Sequence, residues 1–441
     1  MSAFDLIVRT DDADVGCSDG RIAALGPDLE GAGREEIDAR GLLVLPGVVD
    51  AHVHLNDPGR AAWEGFDTGT RALAAGGTTT AIDMPLNASP PTVDAAALDA
   101  KVAAAAGRLH IDVALWGGLV PGNVDALDEL AARGVVGFKA FLSDSGIDDF
   151  PAVDDDALRA GMARAAALGR PVAVHAEDDA LTARLAARAV AQGRLTMRDY
   201  RASRPVQAEL NAIGAAIDAA AATGCALHVV HVSSGAGVAL VAEARARGVD
   251  VTCETCPHYL VLDDDDADAL GALAKCAPPI RPSAEVEALW ARVLHGDVDL
   301  VATDHSPAPA SMKTSADAFV VWGGISGAQT LLALLLDAGT RRGLPLARLV
   351  ALLCAAPAER FGLAPAKGAL AVGADADLVL VDPRAEWLVQ RDALLDRHRL
   401  SPYVGRRLRG RAVRTILRGR TVIRDGAIVD APRGRLLLRR R

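Results

Sequence analysis

Val48-Val49-Asp50-Ala51-His52-Val53-His54 sets two histidines at the end of an apolar run, and the fold follows from reading it as a strand. Residues two apart on a strand point the same way, so both imidazoles project to one side. Seven further apolar runs begin near Thr78, Ile111, Val136, Val172, Ala226, Val251 and Leu300. Ala/Leu/Arg-rich stretches with helical patterning separate them, the alternation of a parallel α/β fold. Eight such units predict a (β/α)8 TIM-like barrel, which carries its chemistry at the C-terminal ends of its strands.

Outside this region the texture changes. Asp5-Leu-Ile-Val-Arg9 and Gly41-Leu-Leu-Val-Leu45 read as short strands, and so do Ala376 to Asp382, Ala412 to Gly419 and Thr421 to Gly426. Residues 1–47 together with 366–441 are therefore expected to form one small β-sandwich, and residues 48–365 the barrel. The acidic run Asp263 to Asp266 reads as a solvated turn and helix start, since the glycine and glutamate spacing of a calcium loop is missing.

Composition bounds the function. A chain of 441 residues, 51% hydrophobic and 24% charged, buries a large core and shows no disorder signature. Its net charge of −10 argues against nucleic-acid or anionic-membrane partners; the basic stretch Arg433 to Arg441 reads as a solvated tail. Six scattered cysteines lack a disulfide framework and fit a reducing compartment. No basic leader with an apolar core opens the sequence and no uninterrupted apolar run reaches about 18 residues, so a cytoplasmic location is expected.

Strand ends supply the candidate chemistry. His52 and His54 suit a metal such as zinc, although paired histidines on a buried strand are also found as structure. His175 closes Pro171-Val-Ala-Val-His175, and His231 closes Ala226-Leu-His-Val-Val-His231. His228, three residues earlier, faces the other way on an extended segment and is read as structural. Asp304 follows Leu300-Val-Ala-Thr303; a carboxylate there needs a cation, a donor network or a helix to cap. Its neighbour His305 is a substrate contact or supports the ligands. Lys139, between Phe138 and Ala140, taken alone reads as a snorkelling or paired lysine. Cys253 and Cys256, three apart on an extended segment, are read as structural rather than redox-active. Gly323, Gly324 and Gly327 around Trp322 either let a loop approach the site or serve packing.

These segments resemble the cyclic amidohydrolases, and within them the allantoin-hydrolysing branch. The likeness runs through Asp50 to Arg60, Trp63-Glu-Gly-Phe66, Asp83-Met-Pro-Leu-Asn87, Gly134 to Lys139, Ser203-Arg-Pro205, His231-Val-Ser-Ser234, Cys253 to Tyr259, Ala274 to Arg281, Asp304-His-Ser-Pro307 and Ser401 to Gly405. The resemblance implies two divalent ions per subunit, zinc with cobalt or manganese as alternatives. One takes His52, His54 and Asp304, the other His175 and His231, and Lys139 joins them as N6-carboxylysine formed with CO2 or bicarbonate. It implies hydrolysis of a small cyclic amide, allantoin to allantoate, by a hydroxide bridging the metals, with Asp304 as catalytic proton carrier. Asn87, His305 and Ser306 are the implied substrate contacts, and a homotetramer the implied assembly.

Two departures narrow the substrate. Dihydroorotase-like relatives carry an arginine where this chain has Asn56, which disfavours an anionic ring. Hydantoinases and dihydropyrimidinases place a tyrosine shortly after the bridging lysine; here the stretch reads Ala140-Phe-Leu-Ser-Asp-Ser-Gly146. A hydantoinase-type cyclic amidase stays as the alternative. A non-catalytic scaffold of the same fold is the other, disfavoured because all six ligating positions are present.

Overall fold

A computed structural model describes residues 3–438. Its centre is a closed parallel barrel of β1 (Val48–Val53), β2 (Thr78–Asp83), β3 (Asp112–Leu115), β4 (Phe138–Phe141), β5 (Val172–His175), β6 (Leu227–Val229), β7 (Val251–Thr255) and β8 (Leu300–Val301). All eight apolar runs of the sequence are strands. Successive strands pair in parallel, for instance Thr80 beside Asp112 and Lys139 beside Ala173. Between β3 and β4 the Val136 amide donates to Leu115 at 2.9 Å, and Gly117–Gly118 continues along β4. The ring closes where His305, past the end of β8, bridges Val53 of β1.

The barrel interior is filled rather than hollow. Val49, Ala51, Ile82, Ala114, Trp116, Val136, Ala173, Val230, Leu300 and Ala302 form one buried cluster there. The small alanines leave room for Trp116, whose indole donates to the Ala51 carbonyl at 3.2 Å and meets Phe361 edge-on. Helices such as Asp155–Ala167, Val206–Thr223 and Leu331–Arg341 pack their apolar sides on the outside of the strands. Asp94, Asp154, Asp178 and Ser234 cap helices by accepting a backbone N–H. Asp263 does the same for Asp264–Leu270, as its acidic run led one to expect.

Two antiparallel-rich sheets lie beside the barrel. One holds Arg21–Gly26, Asp14–Ser18, Phe4–Arg9 and Gly33–Asp38 in that order; the other runs Ala427–Ile428, Arg420–Arg424, Arg407–Leu417, Leu378–Leu388 and Leu43–Pro46. Leu6, Val8, Val15, Ile22 and Ile37 from the first share a core with Ala376, Leu378, Leu380 and Ile416 from the second, so both ends of the chain build one sandwich. Lys367 ties it to the barrel: its ammonium lies 2.7 Å from Asp112, 2.6 Å from Asp377 and 2.9 Å from Asp375. Those three carboxylates thus have their cation from within the chain.

The basic tail differs from its sequence reading. Gly434 donates to Leu109, Val113 to Arg435, and Leu437 to Val113, each within 2.9 Å. Leu437 packs onto the barrel-interior cluster, and Arg435 donates its amide to Asp112. The leucines among the arginines, together with unpaired β3 backbone groups, hold the segment down despite its charge. Residues 439–441 lie outside the described residues. Among the described residues no helix is long and apolar enough to cross a membrane.

Candidate metal centre

His52 and His54 reach the C-terminal mouth of the barrel on the same side, as period two on β1 requires, with ring centroids 5.3 Å apart. Each ring is fixed from behind. His52 donates through Nδ1 to Glu254 Oε1 at 2.5 Å, and His54 through Nδ1 to the Leu86 carbonyl at 2.8 Å. Both partners only accept, so each Nε2 keeps its lone pair, and both face Asp304 Oδ1, at 3.2 and 3.3 Å. Two lone pairs and a carboxylate converging without a donor call for a cation.

A second group stands beside the first. His175, at the end of β5, donates through Nε2 to Glu177 at 2.9 Å, leaving Nδ1 to face His231 Nε2 at 3.0 Å. Among the described residues His231 Nδ1 has no hydrogen-bond partner, and its ring lies 5.6 Å from that of His52. Phe141 stacks on His175 at 4.6 Å. Lys139 lies fully buried on β4, and among the described residues its Nζ has no hydrogen-bond partner. An amine left this way is costly to keep charged. The snorkelling or paired reading of Lys139 therefore fails.

The electrostatics follow from this packing. Burial pushes Lys139 down to about 7, only partly opposed by Glu254 and Asp304. For Asp304 burial pushes upward, and the carboxyl falls well below its usual range only where the facing histidines, His52 first, carry a proton, the positive charge that a cation bound between them would otherwise supply. Burial and the neighbouring His175 and Lys139 keep His231 well below the ordinary imidazole value. Glu254 and Glu177 are both lowered to about 2; burial opposes this, while His52 acts on the first and Arg204 on the second. The donor set, three acceptors at one position and two facing nitrogens plus a low-affinity amine at the other, suits a binuclear divalent-metal centre.

These groups open into a cavity of about 350 Å³. Asn87, Ser306, Asp144, Ser145 and the Val321–Gly324 segment line it, together with the histidines and Asp304. Gly324 approaches Ser306 so closely that a Cβ there would meet the Ser306 carbonyl at 2.2 Å, so loop approach is the reason for this glycine. A wider depression of about 1240 Å³ on the sandwich is lined by arginines and acids far from any of these histidines.

Of the two sequence readings of His305, its packing favours support of the ligands over substrate contact. It does not line the cavity; it is fully buried, with Nε2 3.5 Å from Glu64 and Nδ1 accepting from the Gly327 and Ala328 amides at 3.2 and 3.3 Å. Asn56 is also turned inward, accepting from Asn87 at 3.3 Å. His228 is more than packing, since its Nε2 reaches the second oxygen of Glu254 at 3.2 Å. Glu254, Glu177, Arg204 and Glu64 were not singled out from sequence. Glu254 and Glu177, like Asp304, are carboxylates set at or just past the ends of apolar strands, a pattern visible in the sequence.

Comparison with known proteins agrees with this geometry. The amidohydrolase family model matches residues 43–422. An allantoinase of Rubrobacter xylanophilus is 60% identical, covering 99% of this chain and 98% of its own length. One from Solibacter usitatus is 54% identical over 96% of this chain and 93% of its own. The solved L-hydantoinase (dihydropyrimidinase) from Arthrobacter aurescens superposes with a TM-score of 0.94 at 36% identity, covering 97% of this chain and 98% of its own.

Proposed function

Because this chain belongs to the amidohydrolase family, we propose that it hydrolyses the hydantoin ring of allantoin, giving allantoate. It is an enzyme acting on the C–N bond of a cyclic amide. The observation that carries the substrate is the full-length likeness to allantoinases, at 60 and 54% identity, around a cavity lined by His52, His54, His175, His231 and Asp304. A hydantoinase-type activity is the second reading, favoured by the superposition at 36% identity, and it ranks behind.

We read His52, His54 and Asp304 as holding one divalent ion, His175 and His231 the other, and Lys139 as joining them once carboxylated by CO2. Divalent ions held by these residues would supply polarisation of the amide carbonyl and a water nucleophile near neutral pH. Zinc fits the nitrogen-rich set, with cobalt and manganese as substitutes.

The chain's own residues handle the proton. Water oxygen bonds to the ring carbonyl carbon, the carbon–nitrogen bond breaks, and the water proton must travel to the departing ring nitrogen. Asp304, whose carboxylate faces His52 and His54 at the cavity, accepts that proton and passes it on. Ser306, Asn87 and the main chain of Gly323 and Gly324 offer neutral donors and acceptors to the ring and ureido groups, as an uncharged substrate requires. The six cysteines, all unpaired and buried, support a reducing, cytoplasmic setting; the homotetramer rests on the family resemblance.

Incubating zinc-loaded protein with allantoin and identifying the product by mass tests the reading. Addition of one water with ring opening is expected; unchanged allantoin with zinc, cobalt and manganese each supplied in bicarbonate overturns it. Less than one bound metal per chain under those conditions would favour the scaffold.

A further inference from the structure

Asp304 is held in a backbone conformation uncommon outside glycine, which aspartate tolerates better than most side chains. Its φ is +46°, in the left-handed region, and this turn is what aims the carboxylate at both His52 and His54. Something must over-determine that backbone. On the preceding side, Thr303 donates its amide and its hydroxyl to Asp50, at 3.1 and 2.6 Å. On the following side stands His305, which takes no part in the cavity.

Three of the four polar atoms of His305 are hydrogen-bonded, and the fourth, Nε2, faces the Glu64 carboxylate at 3.5 Å without a hydrogen bond. Its amide donates to Thr303 Oγ1 and its carbonyl accepts from His54, at 3.1 and 2.8 Å. Its ring spans Glu64 on one side and the Gly327 and Ala328 amides on the other. A single turn in the C-terminal part of the chain braces both sides. The Arg397 amide donates to the fully buried Glu64 carboxylate at 3.2 Å, while Asp396 accepts from Ser326, beside Gly327, at 3.1 Å. Glu64 thus sits in the interior facing His305 and the Arg397 backbone, with no place in the proton path itself.

We propose that Glu64 and His305 are positioning residues for the reaction: the pair fixes the left-handed backbone of Asp304, and the Asp396–Arg397 turn holds the pair from outside the barrel. The inference rests on the metal reading above. It makes the C-terminal segment a working part of the site, because the strained residue keeps its aim only while that turn is docked. Partners that orient ligands commonly matter about 10–100-fold in metal affinity or activity.

Glu64→Gln keeps size and an acceptor for Arg397 but removes the charge facing His305. His305→Asn keeps an oxygen near the Nδ1 position for the two amides but cannot reach Glu64. Each variant, checked for folding by circular dichroism, would be titrated with Zn²⁺ against a chelator and assayed with allantoin. The expected result is about a 10–100-fold weaker hold on one zinc of two, with kcat lowered and KM within about twofold, and with the double variant no worse than the worse single one. Wild-type affinity for both zinc ions and kcat within about twofold in a folded variant would overturn the proposal. Should Glu64→Gln fail to fold, His305→Asn decides alone. The chelator titration reads the positioning role whatever ring the enzyme opens, so it separates this proposal from the choice of allantoin.

Discussion

Glu254 and His52 meet at 2.5 Å, both fully buried, and this contact fixes which nitrogen of His52 faces Asp304. The other oxygen of Glu254 is engaged by His228. One carboxylate therefore links a histidine that seemed structural to one read as a ligand. Glu254→Gln can turn its amide toward His52 and destroy that preference. It is expected to weaken zinc about 10–100-fold with little change in fold, measured by chelator competition; unchanged affinity would show that His52 needs no such partner.

Lys139 has no hydrogen-bond partner and a low proton affinity, the two conditions for carbamate formation. Lys139→Ala is expected to abolish turnover, and short-chain carboxylic acids added to the variant to restore part of it by filling the vacated space with a carboxylate. Full activity in Lys139→Ala would remove its bridging role.

The same lysine gives the metal-free protein a pH signature. Its pKa is about 7 folded, against about 10.4 in an unfolded chain. Between these values the unfolded chain holds a proton that the folded one releases, so stability rises with pH, by up to about 1.4 kcal/mol per unit. Below about pH 7 both states are protonated and the cost of burying the charge is greatest. Urea unfolding of metal-stripped, CO2-free protein at pH 7 and 9 should therefore show wild type gaining on Lys139→Met as pH rises. A constant difference between the two would contradict the folded value.

Gly324 forms the cavity wall with φ +142° against the Ser306 carbonyl. Gly324→Ala cannot keep that contact and must push the wall away, at a cost of about 1–3 kcal/mol. A raised KM for allantoin with metal content unchanged is the expected readout; unaltered KM would separate this segment from substrate binding.

Much of this was readable in the chain because strand ends announce themselves. His52, His54, His175, His231 and Asp304 each follow an apolar run, and parallel pairing brings such ends to one mouth. Lys139 was legible only through resemblance: a lysine within a strand looks the same whether it snorkels or stays buried, and its isolation is set by strands far away in sequence. For His305 the sequence left substrate contact and ligand support both open, since standing next to Asp304 says nothing of which way the ring turns once the backbone enters the left-handed region. Glu64 and the Asp396–Arg397 turn are separated by over 300 residues, and no local pattern joins them. The tail was misjudged because charge was weighed and its leucines were not.

The most direct test of the account is to compare kcat/KM of one zinc-loaded preparation for allantoin, hydantoin, dihydrouracil and dihydroorotate. Allantoin is expected first, on the full-length likeness to allantoinases, and dihydroorotate last, because dihydroorotase-like relatives carry an arginine where this chain has Asn56. Hydantoin or dihydrouracil turned over faster than allantoin would contradict it.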